Sequence, residues 1–206
     1  MSSPRAVSHL PPPPPPAQLT GFPQHRYPAG SRLFRSHAAV NGPWWYASDG
    51  GGRFDLALPH GTCYLAEDPV ITLLETWGGM QTIPSYLADT RAVSTLQLPA
   101  AHNLADLTDN RATGYGVTAE IATTPDYPLT QLWAAALHAA GMTGIRYWAR
   151  HDLQHTHACL ALFGPAGLRP SPPGPHPDPV TDDSNLLRQL RDTTGITVLP
   201  IPPATP

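Results

Sequence analysis

The sequence contains no lysine, and all twelve of its basic residues are arginine. Together with fifteen acidic residues they give a formal net charge of -3 at pH 7. A protein that attracts nucleic acid through a broad positive field carries an excess of basic residues. The composition therefore argues against direct binding of nucleic acid. Single arginines can still hold a diphosphate, because a guanidinium group matches phosphate oxygens with paired hydrogen bonds.

Cysteines are few, and long apolar runs are absent. The two cysteines, Cys63 and Cys159, both lie in apolar segments, which favours buried thiols over a disulfide or a metal pair. We therefore expect a reducing, cytoplasmic environment. No apolar stretch approaches the roughly 18 residues of a membrane helix, and no secretory signal is visible. The Gly-x-Ser-x-Gly motif of many hydrolases is also missing.

Proline is abundant, with 27 residues, and twelve of them lie in two short segments, 11–16 and 170–179. Such segments bury little apolar surface, so we expect a disordered proline-rich tail over residues 1–24 and a proline-rich linker over residues 169–181. A catalytic domain would span residues 25–168. Residues 182–206 would form a helix and a strand that pack back on it.

The centre of the chain mixes helices and strands without a regular alternation. Period-two patterns predict strands at 92–98 and 103–107, and a strong amphipathic pattern predicts a helix over 129–140 that ends at Gly141. An irregular order of this kind favours an α+β fold over a doubly wound one. We therefore predict a single domain with a mixed or antiparallel sheet and flanking helices.

A strand followed by a helix carries the most informative carboxylate. Residues 63–66 predict a buried strand, and Asp68 followed by Pro69 is typical of a helix start. In that helix Glu75 lies one position after Leu74, at the edge of the apolar stripe. A glutamate at this position is either a carboxylate that faces a cleft or an ordinary solvated side chain.

An ordered set of short motifs is similar to the RES domain family over residues 30–165. The motifs are Leu33-Phe34-Arg35, Gly52-Arg53-Phe54, Thr62-Cys63-Tyr64-Leu65-Ala66, Leu74-Glu75, Gly144-Ile145-Arg146-Tyr147-Trp148-Ala149-Arg150 and Cys159-Leu160-Ala161-Leu162-Phe163. The resemblance implies a fold like that of the ADP-ribosyltransferases. It also implies a toxin that cleaves NAD or transfers its ADP-ribose and that an Xre-type antitoxin holds in check.

The resemblance also implies roles for individual residues. Glu75 and Arg35 would be catalytic, with Glu75 acting at the ribose whose bond to nicotinamide breaks. Arg35 and Arg53 would hold the diphosphate or that ribose, and Tyr64 would stack on nicotinamide. Tyr147 and Arg150 would add further substrate contacts.

One position departs from the family, because Ala149 stands where the family has a serine. Either that hydroxyl is not essential, or a neighbour such as Thr143 or Ser36 replaces it, or the activity is lost or changed. The resemblance thus predicts a glycohydrolase, a phosphorylase or an ADP-ribosyltransferase. The alternatives are a pathway enzyme on another nucleotide-like substrate and a catalytically impaired binding protein.

The expected partners are NAD or a related nucleotide as substrate, an Xre-type antitoxin and, as an option left open, a second copy of the chain. No separate cofactor is expected. The histidines of segment 151–157 are the best candidates for a metal site, but we interpret this segment as a polar loop between strands and predict no metal. Gly50, Gly51 and Gly52 lack the Lys-Ser or Lys-Thr of a phosphate loop and predict a flexible hinge.

Overall fold

The structure, a computed structural model, describes residues 10–40, 42–170 and 180–200. Within these ranges the strands are β1 (Gln24–Tyr27), β2 (Arg32–Ala38), β3 (Trp45–Tyr46), β4 (His60–Ala66), β5 (Thr82–Pro84), β6 (Arg91–Gln97), β7 (His102–Asp106), β8 (Gly144–Trp148), β9 (Ala158–Pro165), β10 (Gly167–Leu168) and β11 (Thr197–Leu199). The α-helices are α1 (Pro69–Trp77), α2 (Ser85–Asp89), α3 (Glu120–Thr123), α4 (Tyr127–Ala139) and α5 (Ser184–Thr194). None of these helices is long and apolar enough to cross a membrane.

Seven strands form one mixed sheet in the order β1-β7-β8-β9-β4-β2-β6. Neighbouring strands run antiparallel except β7 and β8, which are parallel. Two small two-stranded sheets accompany it, β10 with β3 and β11 with β5. This arrangement confirms the predicted α+β fold with a mixed sheet and flanking helices.

The sheet separates two apolar clusters, as the alternation of side chains along its strands requires. In β4, Cys63 and Leu65 join the smaller cluster, whereas Tyr64 and Ala66 face the larger one. The larger cluster also receives α1 and α4, for example through the fully buried Trp133. Both cysteines are free and buried, as predicted.

Strand β2 leaves β4 soon after the two meet. These two strands pair at a single position, Phe34 with Ala66. By contrast, β2 pairs with β6 along its whole length, and β4 does the same with β9. A gap therefore opens in the sheet beside Arg35 and Ser36, on the side where helix α1 packs.

Helix α1 begins as the sequence predicts. The Asp68 carboxylate caps it, because Oδ1 accepts hydrogen bonds from the backbone N–H of Val70 at 2.8 Å and of Ile71 at 3.1 Å. Pro69 occupies the first turn, and the helix buries its apolar stripe in the larger cluster. This fixes the direction in which Glu75 points from the second turn.

The prediction of a disordered tail over residues 1–24 differs from the structure where the structure describes it, from residue 10 onward. Leu10, Leu19 and Phe22 are buried in the larger cluster, and Trp133 Nε1 donates a hydrogen bond to the Pro11 carbonyl at 2.9 Å. The physical reason is that prolines have a preset φ, so a proline run loses little backbone entropy when flanking apolar side chains dock. Residues 1–9 lie outside the described residues.

The C-terminal segment also packs on the domain. Helix α5 buries Leu186 and Leu190 in the larger cluster, and β11 pairs in parallel with β5. Before it, a 3-10 turn at Val180–Asp182 buries Val180. Most of the predicted linker, residues 171–179, lies outside the described residues.

Removal of residues 1–24 is expected to destabilise the protein strongly. Leu19 and Phe22 each bury a side chain worth roughly 1.5–3 kcal/mol, so the melting temperature should fall by roughly 10 °C. Differential scanning calorimetry measures this shift. The control is removal of residues 1–9, which leaves Leu10, Leu19 and Phe22 and their contacts in place. Equal melting temperatures for the two shortened proteins would contradict the packing role of residues 10–24.

Candidate active site

A cleft of about 280 Å³ lies at the gap between β2 and β4. Helix α1, the segment before β4, the start of α4 and the end of β8 complete its walls. Six residues that the sequence analysis proposed for the site line this one cleft: Arg35, Arg53, Tyr64, Glu75, Tyr147 and Arg150. The fold thus brings together side chains that are far apart in the chain.

The Tyr64 side chain is held by its hydroxyl group. The hydroxyl donates to Asp55 Oδ1 and accepts from the Phe54 backbone N–H, both at 2.8 Å. Glycine is required at position 52, because a Cβ there would lie 2.4 Å from the Tyr64 hydroxyl oxygen. Burial, reinforced by the Asp55 carboxylate, raises the pKa of Tyr64 well above its usual value. The phenol therefore stays neutral, and the ring is positioned as a fixed wall of the cleft.

Arg53 is a buried cation with only 7% of its surface exposed. Its Nη1 donates to the carbonyl oxygens of Thr124 at 2.6 Å and Ile121 at 3.4 Å, and its guanidinium lies 4.9 Å from the centre of the Tyr127 ring. Burial lowers its pKa below the usual value for an arginine, but the group remains charged at neutral pH. Both hydrogen bonds leave from Nη1, so they do not occupy Nε or Nη2.

Glu75 lies on α1 with its side chain exposed at the cleft. The backbone N–H of His151 points at its Oε1 over 3.4 Å, a long hydrogen bond. Although the side chain keeps an exposed surface, the cleft walls desolvate the carboxyl group and raise its pKa above 4.5. The contact with His151 opposes this shift.

Arg35 does not present its guanidinium to the same face of the sheet as Tyr64. Its Nη1 donates to the carbonyl oxygens of Pro43 at 2.5 Å and Trp45 at 2.8 Å, and it lies 2.9 Å from Cys63 Sγ. Cys63 belongs to the cluster on the opposite face of the sheet from Tyr64. Arg35 therefore borders the cleft while its charged end holds the loop before β3. To reach a ligand beside Tyr64, this guanidinium would have to leave those acceptors.

The position of the family serine is also displaced from the cleft. Ala149 has 1% of its surface exposed and lines a neighbouring depression. Of the two proposed replacements, Thr143 donates its hydroxyl to the Asn103 carbonyl at 3.0 Å, at the start of β8. Ser36 lines the cleft, and its buried hydroxyl oxygen has no hydrogen-bond partner within the described part of the chain.

Tyr147 and Arg150 approach the cleft from the end of β8. Tyr147 is buried, with its ring 4.9 Å from the ring of Phe54 in an edge-to-face arrangement. Arg150 is exposed and has no ion-pair partner among residues 10–40, 42–170 and 180–200. It is therefore a charged group available to an anionic ligand.

Sequence reasoning missed three residues that shape the site. Asp55 fixes Tyr64, Tyr127 lies against the Arg53 guanidinium, and His151 borders the cleft with its ring against Gly78. A Cβ at Gly78 would come within 2.0 Å of that ring. Only the Asp126-Tyr127-Pro128 pattern of a helix start gave a local signal, and it does not reveal the contact with Arg53.

The 151–157 segment is a loop stabilised by Asp152. The carboxylate accepts hydrogen bonds from the backbone N–H groups of Gln154, Thr156 and His157. No group of three or more potential metal ligands occurs in the part of the chain that the structure describes.

The glycine segment 50–52 is held by the Gln131 side chain. Its Nε2 donates hydrogen bonds to the carbonyl oxygens of Gly50 at 3.0 Å and of Gly52 at 2.8 Å.

The fold and the cleft define an α+β protein with a cleft that combines arginines, tyrosines and one carboxylate. The chain belongs to the RES domain family, whose model matches residues 31–182. This confirms the resemblance found in the sequence. No curated protein matches the chain.

Among solved structures, the fold is similar to a chain in the crystal structure of the M. tuberculosis MbcT-MbcA toxin-antitoxin complex. The TM-score is 0.59 and the identity 16%, over 72% of this chain and 80% of that chain. At this identity the likeness concerns the fold.

The raised pKa of Glu75 predicts a pH-dependent effect on stability. Between pH 4.5 and the raised pKa of Glu75, the carboxyl group binds more protons in the folded state than in the unfolded state. The contribution of Glu75 to the free energy of unfolding therefore falls as pH rises through this range. Glutamine does not titrate. The melting temperature of Glu75→Gln relative to the native protein should therefore be higher at neutral pH than below pH 4.5. A difference that is constant with pH would contradict the desolvation of Glu75.

Proposed function

We propose that this protein is a toxin-like enzyme that consumes NAD by cleaving the bond between nicotinamide and ribose. The observation that carries the proposal is the meeting of Glu75, Tyr64 and two arginines, Arg53 and Arg150, in one cleft. Membership of the RES domain family supports it, because NAD-cleaving toxins are known in that family.

The chemistry needs a negative charge beside the sugar. When the bond from ribose C1′ to nicotinamide breaks, both electrons leave with the ring nitrogen, so nicotinamide departs neutral and the sugar gains oxocarbenium character. A carboxylate at Glu75 stabilises this positive charge more than it stabilises the neutral ribose of the ground state. The acceptor, which is water, phosphate or a protein side chain, then bonds to C1′ through a lone pair and, where it carried a proton, releases it to solvent.

The remaining side chains divide the work of binding. The Tyr64 ring, fixed by Asp55, is suited to stack on the leaving nicotinamide. Arg53 and Arg150 are suited to the diphosphate, since guanidinium groups bind phosphate oxygens with charge-assisted hydrogen bonds. In this assignment Arg35 supports the loop before β3, and its predicted catalytic role requires the guanidinium to move.

Glu75→Gln is expected to abolish nicotinamide release from NAD while the protein stays folded. The carboxamide keeps the shape of the side chain and removes the charge that stabilises the transition state. Nicotinamide is measured by chromatography, with and without phosphate. The control is Asp192→Asn, the same change of group at an exposed position of helix α5, which should leave release unchanged.

The outcomes separate the proposed function from its alternatives. If a folded sample without a bound partner releases no nicotinamide from NAD, the protein does not consume NAD. That result would favour a pathway enzyme on another nucleotide-like substrate or a binding protein. Full release by Glu75→Gln would show that the carboxylate has another role. Release that depends on phosphate would identify a phosphorylase.

Ser36→Ala should reduce nicotinamide release by about threefold to tenfold, the loss expected for one neutral hydrogen bond to substrate. Its melting temperature should not fall, because the hydroxyl has no partner to lose in the free protein. Thr143→Ala is the matched control and should leave release unchanged, since that hydroxyl is bound to Asn103. A reversed pattern would assign the replacement of the family serine to Thr143.

We also propose an Xre-type antitoxin as the protein partner. The support is the family and the likeness to a chain from a toxin-antitoxin complex. Expression of the chain alone and together with the product of the adjacent gene tests this idea. Growth arrest that coexpression relieves, with a complex of the two proteins on size exclusion, is the expected result. Absence of both effects would argue against a toxin-antitoxin pair.

A further inference from the structure

The neighbouring depression that Ala149 lines is a second compartment, which adjoins the active-site cleft. It measures about 270 Å³ and lies between the segment after β7 and helix α3. Tyr147 and Arg150 line both spaces, so the end of β8 is their common wall. We call this space the adjoining compartment and define it by Leu107, Asn110, Val117, Thr118, Ile121 and Ala122.

Two guanidinium groups mark the junction. Arg150 lines both spaces, and Arg53 lines the cleft while its Nη1 binds the carbonyl of Ile121, a residue of the adjoining compartment. The positive charge of Arg150 is among the causes that lower the pKa of Arg53, so the two cations repel each other. An anion placed at the junction would relieve this repulsion.

The adjoining compartment combines apolar walls with a buried polar atom. Leu107, Val117 and Ile121 contribute apolar walls. The Thr118 hydroxyl oxygen is buried and has no hydrogen-bond partner within the described ranges. A buried polar atom without a partner costs free energy unless a ligand or water satisfies it.

Size gives an independent argument. Each of the two spaces is smaller than the roughly 300–1,000 Å³ of typical small-molecule sites, whereas both together fall inside that range. A ligand with two flat ring systems joined by a doubly charged linker would match two adjoining spaces with two arginines at their junction.

We propose that the adjoining compartment binds the adenosine half of a dinucleotide whose nicotinamide half occupies the cleft, with the diphosphate crossing between Arg53 and Arg150. The proposal rests on the proposed function, because it takes the cleavable half of the same substrate to lie beside Glu75. It adds the position of the other half and the residues that select a dinucleotide over a mononucleotide.

The test compares NAD with nicotinamide mononucleotide, which has the same reacting bond but lacks the adenosine half. Ala122→Phe fills the adjoining compartment and should raise KM for NAD by about tenfold or more, with KM for the mononucleotide unchanged. Thr118→Val should raise KM for NAD by about threefold to tenfold, the loss of one neutral hydrogen bond. Ala135→Phe, the same enlargement at an exposed position of α4, is the control and should change neither.

An unchanged KM for NAD in folded Ala122→Phe would overturn the proposal, and so would equal increases for both substrates. Calorimetric binding of adenosine monophosphate separates its failure from that of the proposed function, because it needs no catalysis. Binding to the native protein that Ala122→Phe abolishes supports the compartment even where NAD is not cleaved. Equal binding to both proteins, or binding to neither, overturns it.

Discussion

The buried guanidinium of Arg53 joins the segments that form the site. Its hydrogen bonds to Thr124 and Ile121 fix the region around α3, and its contact with Tyr127 fixes the start of α4. A buried charge without polar partners would be strongly destabilising, so these carbonyl groups and the ring are required for the arginine to remain inside. The same contacts place one cation where the cleft meets the adjoining compartment.

The charge balance of the cleft follows from this constraint. Arg53 and Arg150 bring two positive charges, and Glu75 brings one carboxylate whose pKa burial raises. The free site therefore carries more positive than negative charge. A dinucleotide with a diphosphate would complement it, and the carboxylate at the sugar would act on the charge that develops during bond cleavage.

The gap between β2 and β4 decides which side chains can meet a ligand. Because neighbouring strand residues face opposite sides of a sheet, Arg35 and Ser36 cannot both point toward Tyr64. The structure directs Arg35 to the loop carbonyls before β3 and leaves Ser36 at the cleft. The hydroxyl proposed as a replacement for the missing family serine therefore comes from β2, whereas Ala149 directly follows β8.

Local patterns in the sequence determined the helix that carries Glu75, the strand that carries Tyr64 and the α+β class, because caps and apolar periodicity act over a few residues. The residues proposed for the cleft were found from the ordered short motifs that resemble the RES domain family. Packing over long sequence distances decided the rest. Residues 10–24 fold onto the domain because Leu19 and Phe22 find apolar partners far along the chain. The environment of Arg53, the direction of Arg35 and the seclusion of Ala149 likewise depend on which segments meet, and neither residue type nor spacing encodes that.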